Sequence, residues 1–138
     1  MSDAVAAGGL DVLLVEDDES LATMYHRKLV AEGYQVRIAG DGPSGLAAAI
    51  QRLPDLLLLD LRIPGFGGFD LLDQLRRAPG GAGVPVIVLS NYGELEVIER
   101  GQMLGVLDHL IKSQTTPGSL VETIRRHLPD DSPEPIPA

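Results

Sequence analysis

The chain has 138 residues, and its 11 basic and 20 acidic side chains give a formal net charge of −9. This length indicates one domain, and the acidic balance argues against binding nucleic acid or anionic membranes, which requires a basic face. The absence of cysteine excludes disulfides and thiolate chemistry. No apolar run reaches the length of a membrane span, and the N-terminus lacks the features of a secretory signal. We therefore expect a cytoplasmic globular protein.

The first half of the chain alternates between strand-like and helix-like patterns. Its predicted elements are, in chain order, a strand at Val12–Val15, a helix from Leu21 to Gly33, a strand at Tyr34–Ala39, a helix from Leu46 to Leu53, and a strand at Leu56–Leu59. Leu56–Leu59 is apolar without alternation, which is typical of a strand that is covered on both faces. The pattern therefore places this strand in the middle of a sheet.

The second half continues the alternation and closes with a capped helix. Its predicted elements are a helix from Leu71 to Ala78, a strand at Val84–Leu89, a helix at Glu94–Leu104, a strand at Val106–Ile111, and a helix that begins at Thr116-Pro117. Strict alternation of strands and helices predicts an α/β fold, a parallel sheet with helices on both faces. We expect residues 11–128 to form the domain, with a flexible segment at 1–10 and a disordered, proline-rich and acidic tail at 129–138.

Polar residues directly follow four of the predicted strands. Glu16 and Asp17 follow the first, Asp60 the third, Ser90 the fourth and Lys112 the fifth. In open α/β sheets, binding sites form beyond the carboxyl ends of the strands. The sequence therefore predicts that three carboxylates, a hydroxyl and an ammonium group meet at one edge of the sheet.

Clustered carboxylates repel each other unless a cation offsets their charge. A hard divalent ion such as Mg²⁺ suits this set, because it accepts carboxylate, water and phosphate oxygens as ligands. For Asp18 and Glu19 we favour a simpler interpretation, in which they cap and charge a helix N-terminus. A structural salt bridge is the alternative for Lys112 and Asp60. It is compatible with a phosphate site, because the lysine can pair with the carboxylate before phosphate arrives.

Four segments together resemble the CheY-like receiver domains of two-component signalling. They are VEDDE at 15–19, LLLLDLRIPGFGGFDLL at 56–72, VIVLSN at 86–91 and HLIK at 109–112, and the resemblance covers roughly residues 11–128. It implies a doubly wound, flavodoxin-like (βα)5 sandwich with a five-stranded parallel sheet in the order 2-1-3-4-5. It also implies that the chain is a phosphoprotein of a response regulator.

The resemblance assigns the acidic residues to phosphoryl transfer and metal binding. Asp60 would accept a phosphoryl group from a sensor histidine kinase or a phosphotransfer protein. Asp17, Asp60 and the backbone carbonyl of Arg62 would bind Mg²⁺ directly, and Glu16 would act mainly through water. Phosphoryl transfer depends on positioning and charge neutralisation, which a metal ion and a lysine both supply.

The resemblance assigns three further residues to binding the phosphoryl group and carrying the signal. Ser90 would hydrogen-bond a phosphoryl oxygen, Lys112 would pair with another, and His109 stands where the family usually has an aromatic switch residue. An ordinary strand histidine is the alternative for His109. Phosphorylation would shift the face made by helix 4, strand 5 and helix 5, and a downstream protein would bind there. The domain would be a monomer or weak dimer that catalyses only its own phosphorylation and dephosphorylation.

Several positions depart from the family pattern. Ser113 follows Lys112 where a cis proline is usual, so we expect a trans peptide bond there. Asn91 stands where alanine or glycine is usual and would limit access for a small phosphodonor. Arg62 and Tyr92 would flank the pocket and slow hydrolysis by excluding water, or would simply be solvated loop residues.

Two alternatives remain open at this point. A phosphatase of the haloacid-dehalogenase type also uses a strand-end aspartate, but it carries Asp-x-Asp after the first strand, whereas Arg62 fills the second acidic position here. The other alternative is a receiver-like domain that only docks proteins and is not phosphorylated. The presence of the whole set of site residues argues against it.

Overall fold

A computed structural model describes residues 9–91 and 95–129 of the chain. Its five strands form one parallel sheet in the order β2-β1-β3-β4-β5. The strands are β1 (Asp11–Val15), β2 (Gln35–Ala39), β3 (Leu56–Asp60), β4 (Val86–Ser90) and β5 (Asp108–Ile111). The predicted fold class and strand order are confirmed. The expectations for residues 1–8 and 130–138, and those for Tyr92 and Glu94, lie outside the described residues.

Helices alternate with the strands, and the first and the last begin at the predicted caps. They are α1 (Glu19–Ala31), α2 (Gly42–Gln51), α3 (Gly68–Arg77), α4 (Leu95–Met103) and α5 (Pro117–His127). The Asp18 carboxylate accepts a hydrogen bond from the Leu21 N–H at 3.0 Å, which makes Asp18 the N-cap of α1. Thr116 and Ser119 form a reciprocal capping box at the start of α5. None of these helices is both long and apolar enough to cross a membrane.

The sheet separates two hydrophobic layers, because successive side chains of a strand point to opposite faces. Leu56 and Leu58 of β3 pack with α1 and α5, whereas Leu57 and Leu59 pack with α2 and α3. All four leucines are fully buried. The unbroken apolar run of β3 is therefore explained by its position at the centre of the sheet.

The last two strands begin later than the sequence predicts. β4 begins at Val86 because Pro85 has no N–H to donate and the Val84 N–H bonds Gly81 in a preceding turn. β5 begins at Asp108 because the Val106 N–H still bonds the Gly101 carbonyl at the end of α4. Both differences arise from turn hydrogen bonds that compete with the sheet.

The α4 helix is the least embedded of the five. Gly101 is its one buried residue, and Leu95 and Met103 at its ends are 69% and 87% exposed. The Arg100 guanidinium lies 4.6 Å above the Phe69 ring of α3, which is a cation–π contact. Because α4 buries so little apolar surface, it is the helix that can be repositioned at the lowest cost in free energy.

The backbone after β3 leaves no space for a side chain at Gly68. A methyl group there would lie 2.8 Å from the Leu61 Cα and 2.9 Å from the Asp60 carbonyl oxygen, whereas one at Gly83 would meet no atom within 4 Å. Gly68→Ala should therefore lower the free energy of unfolding by about 1–3 kcal/mol. Gly83→Ala is the matched control, because Gly83 is exposed, and it should change the free energy of unfolding by less than about 0.5 kcal/mol. Urea unfolding measures both, and equal values for the two variants would contradict this close packing.

Candidate functional site

The strand register brings the predicted residues to one edge of the sheet. Asp60, the last residue of β3, is paired with Leu89, so Ser90 follows one step beyond on β4. Ser90 is in turn paired with Ile111 of β5, which places Lys112 just past the strand end. On the other side of β3, Glu16 and Asp17 follow β1. The predicted convergence of these side chains is therefore present in the structure.

Two buried carboxylates share one lysine at this edge. Glu16 and Asp60 are each only 2% exposed. The Lys112 Nζ atom lies 2.8 Å from Glu16 Oε1 in an ion pair and donates to Asp60 Oδ2 at 2.9 Å. The Lys112–Asp60 salt bridge that the sequence offered as an alternative is thus present, and Glu16 joins it. The shared cation offsets the charge of two acids that have lost their solvation.

Backbone N–H groups bind the remaining oxygen atoms of the two carboxylates. Asp60 Oδ1 accepts the Arg62 N–H at 3.0 Å, and Glu16 Oε2 accepts the Asp18 N–H at 3.1 Å. These bonds come from the loops after β3 and β1, so each loop orients the acid that precedes it. Each carboxylate is thus oriented by the lysine on one oxygen and a backbone N–H on the other.

Burial and ion pairing have opposite effects on the pKa of each charged group in this cluster. Burial is the main cause that raises the pKa of Glu16 to about 7, although its contacts with Lys112 and with the Asp18 N–H oppose the shift. Burial also disfavours the Lys112 ammonium, but the bonds to Glu16 and Asp60 outweigh it and raise the pKa of Lys112. Near neutral pH the lysine therefore stays charged while Glu16 is close to its titration midpoint.

The carboxylates satisfy the requirements of a divalent metal site. Glu16, Asp17 and Asp60 each offer an oxygen atom within 4.8 Å of the other two. Asp17 is exposed and the other two are buried, so the cluster lies at the boundary between the core and solvent. Carboxylate oxygens with free coordination positions are the environment that Mg²⁺ prefers. The donor set therefore fits the predicted metal.

The remaining predicted residues surround this cluster in different ways. Arg62, Asn91 and Ser113 line the same open cleft as the carboxylates and Lys112. The Lys112–Ser113 peptide is trans, as predicted, and the chain makes a short 3-10 turn over Lys112–Gln114. Tyr92 lies outside the described residues.

Ser90 and His109 are joined directly. Ser90 is 5% exposed, and its Oγ atom lies 2.8 Å from His109 Nε2. His109 is half-buried on β5, and its backbone N–H donates to Asp108 Oδ1 at 2.8 Å. The hydroxyl beside the acidic cleft is therefore in contact with the strand at the edge of the sheet.

The sequence patterns did not identify Tyr25 as a neighbour of the site. Its side chain is fully buried, and its hydroxyl has no hydrogen-bond partner among the described groups. Burial is the main cause that raises its pKa, and the charge of Glu16 adds to the shift while Lys112 opposes it. The sequence feature that could have identified it is the position of a tyrosine within the apolar stripe of α1, because a buried hydroxyl requires a polar neighbour.

Comparisons with known proteins agree with this geometry. The chain matches the family model of the response regulator receiver domain over residues 12–125. It is 34% identical over 123 residues to the phosphate regulon transcriptional regulatory protein PhoB of Rhizobium meliloti, covering 89% of this chain and 54% of that protein. It is 36% identical over 124 residues to the DNA-binding response regulator MtrA of Mycobacterium tuberculosis, covering 90% and 53%. The chain thus spans about half the length of these relatives.

Solved structures show the same fold. The chemotaxis response regulator CheY4 of Vibrio cholerae matches with a TM-score of 0.80 and 28% identity over 87% of this chain and 99% of that one. The receiver domain of the sensor histidine kinase PA1611 of Pseudomonas aeruginosa, whose structure has a magnesium ion coordinated in the active-site cleft, matches with a TM-score of 0.77 and 28% identity over 86% and 96%.

Fold, cleft and relatives together define a signalling domain of the two-component class. The chain belongs to the response regulator receiver domain family, whose members are phosphoacceptors and generally not classical enzymes.

Proposed function

We propose that Asp60 is the phosphoacceptor, that Mg²⁺ is bound beside it, and that a histidine kinase or a histidine phosphotransfer protein is the donor. The observation that carries this proposal is the environment of Asp60. It is a buried carboxylate at the end of the central strand, with Lys112 on one oxygen and a backbone N–H on the other. Both contacts stabilise negative charge at the point where a phosphoryl group would arrive.

In the transfer step, an oxygen atom of Asp60 attacks the phosphorus of a phosphohistidine. The P–O bond to Asp60 forms as the P–N bond of the donor breaks, and the imidazole leaves with the electron pair. Lys112 neutralises part of the charge on the phosphoryl oxygens, and the Ser90 hydroxyl donates a hydrogen bond to another of them. The residues thus act mainly by positioning the phosphoryl group and offsetting its charge.

The residues that would hold Mg²⁺ are Asp17, Asp60 and the Arg62 carbonyl, with Glu16 acting through water. When bound, the ion supplies positive charge that offsets the carboxylates and the incoming phosphoryl oxygens. Asp17 is the exposed member of the set, and its side chain does not contribute to the core. Its substitution therefore tests metal binding without disturbing the fold.

Asp17→Ala should weaken Mg²⁺ binding at least about tenfold, since even indirect partners of metal ligands contribute about 10–100-fold in affinity. Asp18→Asn is the matched control, because it removes one negative charge at the next position and retains a good N-cap. Mg²⁺ titration followed by calorimetry measures both variants. Equal weakening of the two would indicate a general charge effect and contradict a ligand role for Asp17.

We further propose that the signal leaves through the face formed by α4, β5 and α5. Three observations support it: Ser90 contacts β5 through His109, Lys112 follows β5 directly, and α4 is the least embedded helix. Glu96, Glu99 and Arg100 are exposed on α4. A surface with charges of both signs suits a protein partner better than DNA.

Intact mass spectrometry tests the proposed function. The protein is incubated with Mg²⁺ and a phosphorylated histidine phosphotransfer protein, with and without a chelator. We expect a single added phosphoryl group that requires Mg²⁺. Continuous release of phosphate from small esters would instead support the phosphatase alternative, and no adduct with any donor would support a docking domain.

A further inference from the structure

We propose that Tyr25 positions Glu16 once Asp60 is phosphorylated. The Tyr25 hydroxyl then donates a hydrogen bond to Glu16 Oε1, directly or through one buried water molecule. This bond replaces the contact with Lys112, which the phosphoryl group draws away. The inference rests on the proposed function of Asp60 and Lys112. Tyr25 is a positioning residue, because it acts on Glu16 and touches neither the phosphoryl group nor the metal ion.

Tyr25 and Glu16 lie on the same face of the sheet. Leu14 of β1 belongs to the core layer that contains Tyr25, whereas Val15 belongs to the layer on the other face. The Glu16 N–H still bonds the Ala39 carbonyl of β2, so the chain keeps its extended course for one residue beyond β1. Because side chains alternate along a strand, Glu16 points toward the layer of Tyr25.

The direction of the Tyr25 side chain brings its hydroxyl toward the acidic cleft. Side chains of a helix tilt toward the helix N-terminus, and α1 begins at Glu19, just after the acidic residues that follow β1. The N-terminus of α1 therefore lies at the edge of the sheet where the carboxylates meet. Burial raises the pKa of Tyr25 most, the charge of Glu16 adds to this shift, and the charge of Lys112 opposes it. Both charged groups are thus close enough to act on this hydroxyl.

The Tyr25 hydroxyl is a buried donor that the unphosphorylated structure does not use. Tyr25 is fully buried, and its hydroxyl has no hydrogen-bond partner among the described groups. Glu16 Oε1 is also buried; it is held by the ion pair with Lys112 at 2.8 Å and accepts no further hydrogen bond from the described groups. A phenylalanine would fill the same space as Tyr25 and would not bury an unpaired hydroxyl. We therefore infer that the hydroxyl serves another state of the protein.

Phosphorylation changes the anion that Lys112 binds most strongly. Its ammonium group is shared between Glu16 and Asp60, at 2.8 and 2.9 Å. A phosphoryl group carries a charge of about −1.5 to −2 near neutral pH, so it attracts the ammonium more strongly than a carboxylate does. As Lys112 turns to the phosphoryl oxygens, Glu16 Oε1 loses its cation while it stays buried. A hydrogen bond from Tyr25 then offsets that loss, and no covalent bond changes.

NMR of tyrosines labelled with ¹³C tests this inference, because the ¹³Cζ shift and the hydroxyl proton both respond to hydrogen bonding of the phenol. The protein is measured with Mg²⁺, without and then with beryllofluoride as the phosphoryl mimic. Tyr25 is assigned with Tyr25→Phe. Tyr34 is the internal control, since it precedes β2 at the opposite edge of the sheet. We expect the mimic to move the Tyr25 ¹³Cζ resonance and to shift its hydroxyl proton downfield, with Tyr34 unchanged. Unchanged Tyr25 resonances with the mimic bound would overturn the inference.

A pair of phenylalanine variants tests the energetic consequence. Tyr25→Phe should weaken binding of the mimic about tenfold, which is the typical contribution of a hydrogen bond to a charged group. Tyr34→Phe is the matched control and should leave this affinity unchanged. Without the mimic, Tyr25→Phe should resist urea at least as well as the wild type, because it removes a buried hydroxyl that has no partner. Equal affinities of Tyr25→Phe and the wild type, or a loss of stability without the mimic, would contradict the inference.

The same spectra distinguish this inference from the proposed function. Binding of the mimic is monitored by the backbone amides after β3, and Asp60→Asn provides the unbound reference. Mimic binding without a change at Tyr25 overturns the inference and leaves the proposed function intact. No binding to the wild type overturns both.

Discussion

Asp60→Asn should lose all transfer of a phosphoryl group from a phosphorylated histidine donor. The amide keeps the shape of the side chain, and its oxygen can still accept from the Arg62 N–H. However, it has no negative charge and is a very poor nucleophile. The control is Asp70→Asn, because Asp70 is an exposed aspartate in the first turn of α3. Intact mass spectra of both variants decide the matter: full labelling of Asp60→Asn would remove Asp60 from its proposed role.

Lys112→Met should lower stability most strongly above neutral pH and without Mg²⁺. The lysine side chain is 15% exposed and is the cation between Glu16 and Asp60. Its removal leaves two buried carboxylates unpaired, at a cost of about 3 kcal/mol. Lys28→Met is the control, since Lys28 is 39% exposed and pairs with Glu32 on the surface. That pair should contribute no more than about 1 kcal/mol.

The pH dependence of the Lys112→Met penalty follows from Glu16. Burial already raises the pKa of Glu16 to about 7 against an ordinary value of 4.5, and loss of the lysine removes a contact that lowers it. The folded variant therefore binds a proton that the unfolded chain releases, so its stability falls as pH rises through this range. Urea unfolding at pH 6 and pH 8 should show the larger penalty at the higher pH.

Added Mg²⁺ should stabilise Lys112→Met more than the wild type, because the ion replaces the lost positive charge among the carboxylates. Thermal unfolding with and without Mg²⁺ measures the difference. A penalty that is the same at both pH values and unaffected by Mg²⁺ would show that the lysine contributes by packing its carbon chain instead.

The central strand was predictable because one physical signal dominates it. Four consecutive leucines, Leu56–Leu59, leave no polar face, so the strand must be covered on both sides, and its carboxyl end must lie in the middle of the binding edge. The position of Asp60 follows directly. Helix starts at Asp18 and Thr116 were predictable for a similar reason, since capping is a local interaction between residues a few positions apart.

Interactions between distant residues were not predictable to the same degree. The sequence suggested a Lys112–Asp60 pair, but Glu16 as the second partner depends on how three loops meet in space. The Ser90–His109 hydrogen bond depends on the β4–β5 register. The burial of the Tyr25 hydroxyl depends on how deeply the apolar face of α1 packs against the sheet. β4 starts only at Val86 because Pro85 has no N–H and the Val84 N–H bonds Gly81. β5 starts only at Asp108 because the Val106 N–H bonds Gly101.

The most direct test of the account is to locate the phosphoryl group in the wild-type protein. Borohydride reduces an aspartyl phosphate to homoserine and leaves free carboxylates unchanged, so peptide sequencing by mass spectrometry identifies the acceptor after phosphorylation in Mg²⁺. The account predicts homoserine at position 60 and at no other aspartate. Homoserine at position 17, or a phosphoryl group that survives reduction on Ser90, would contradict it.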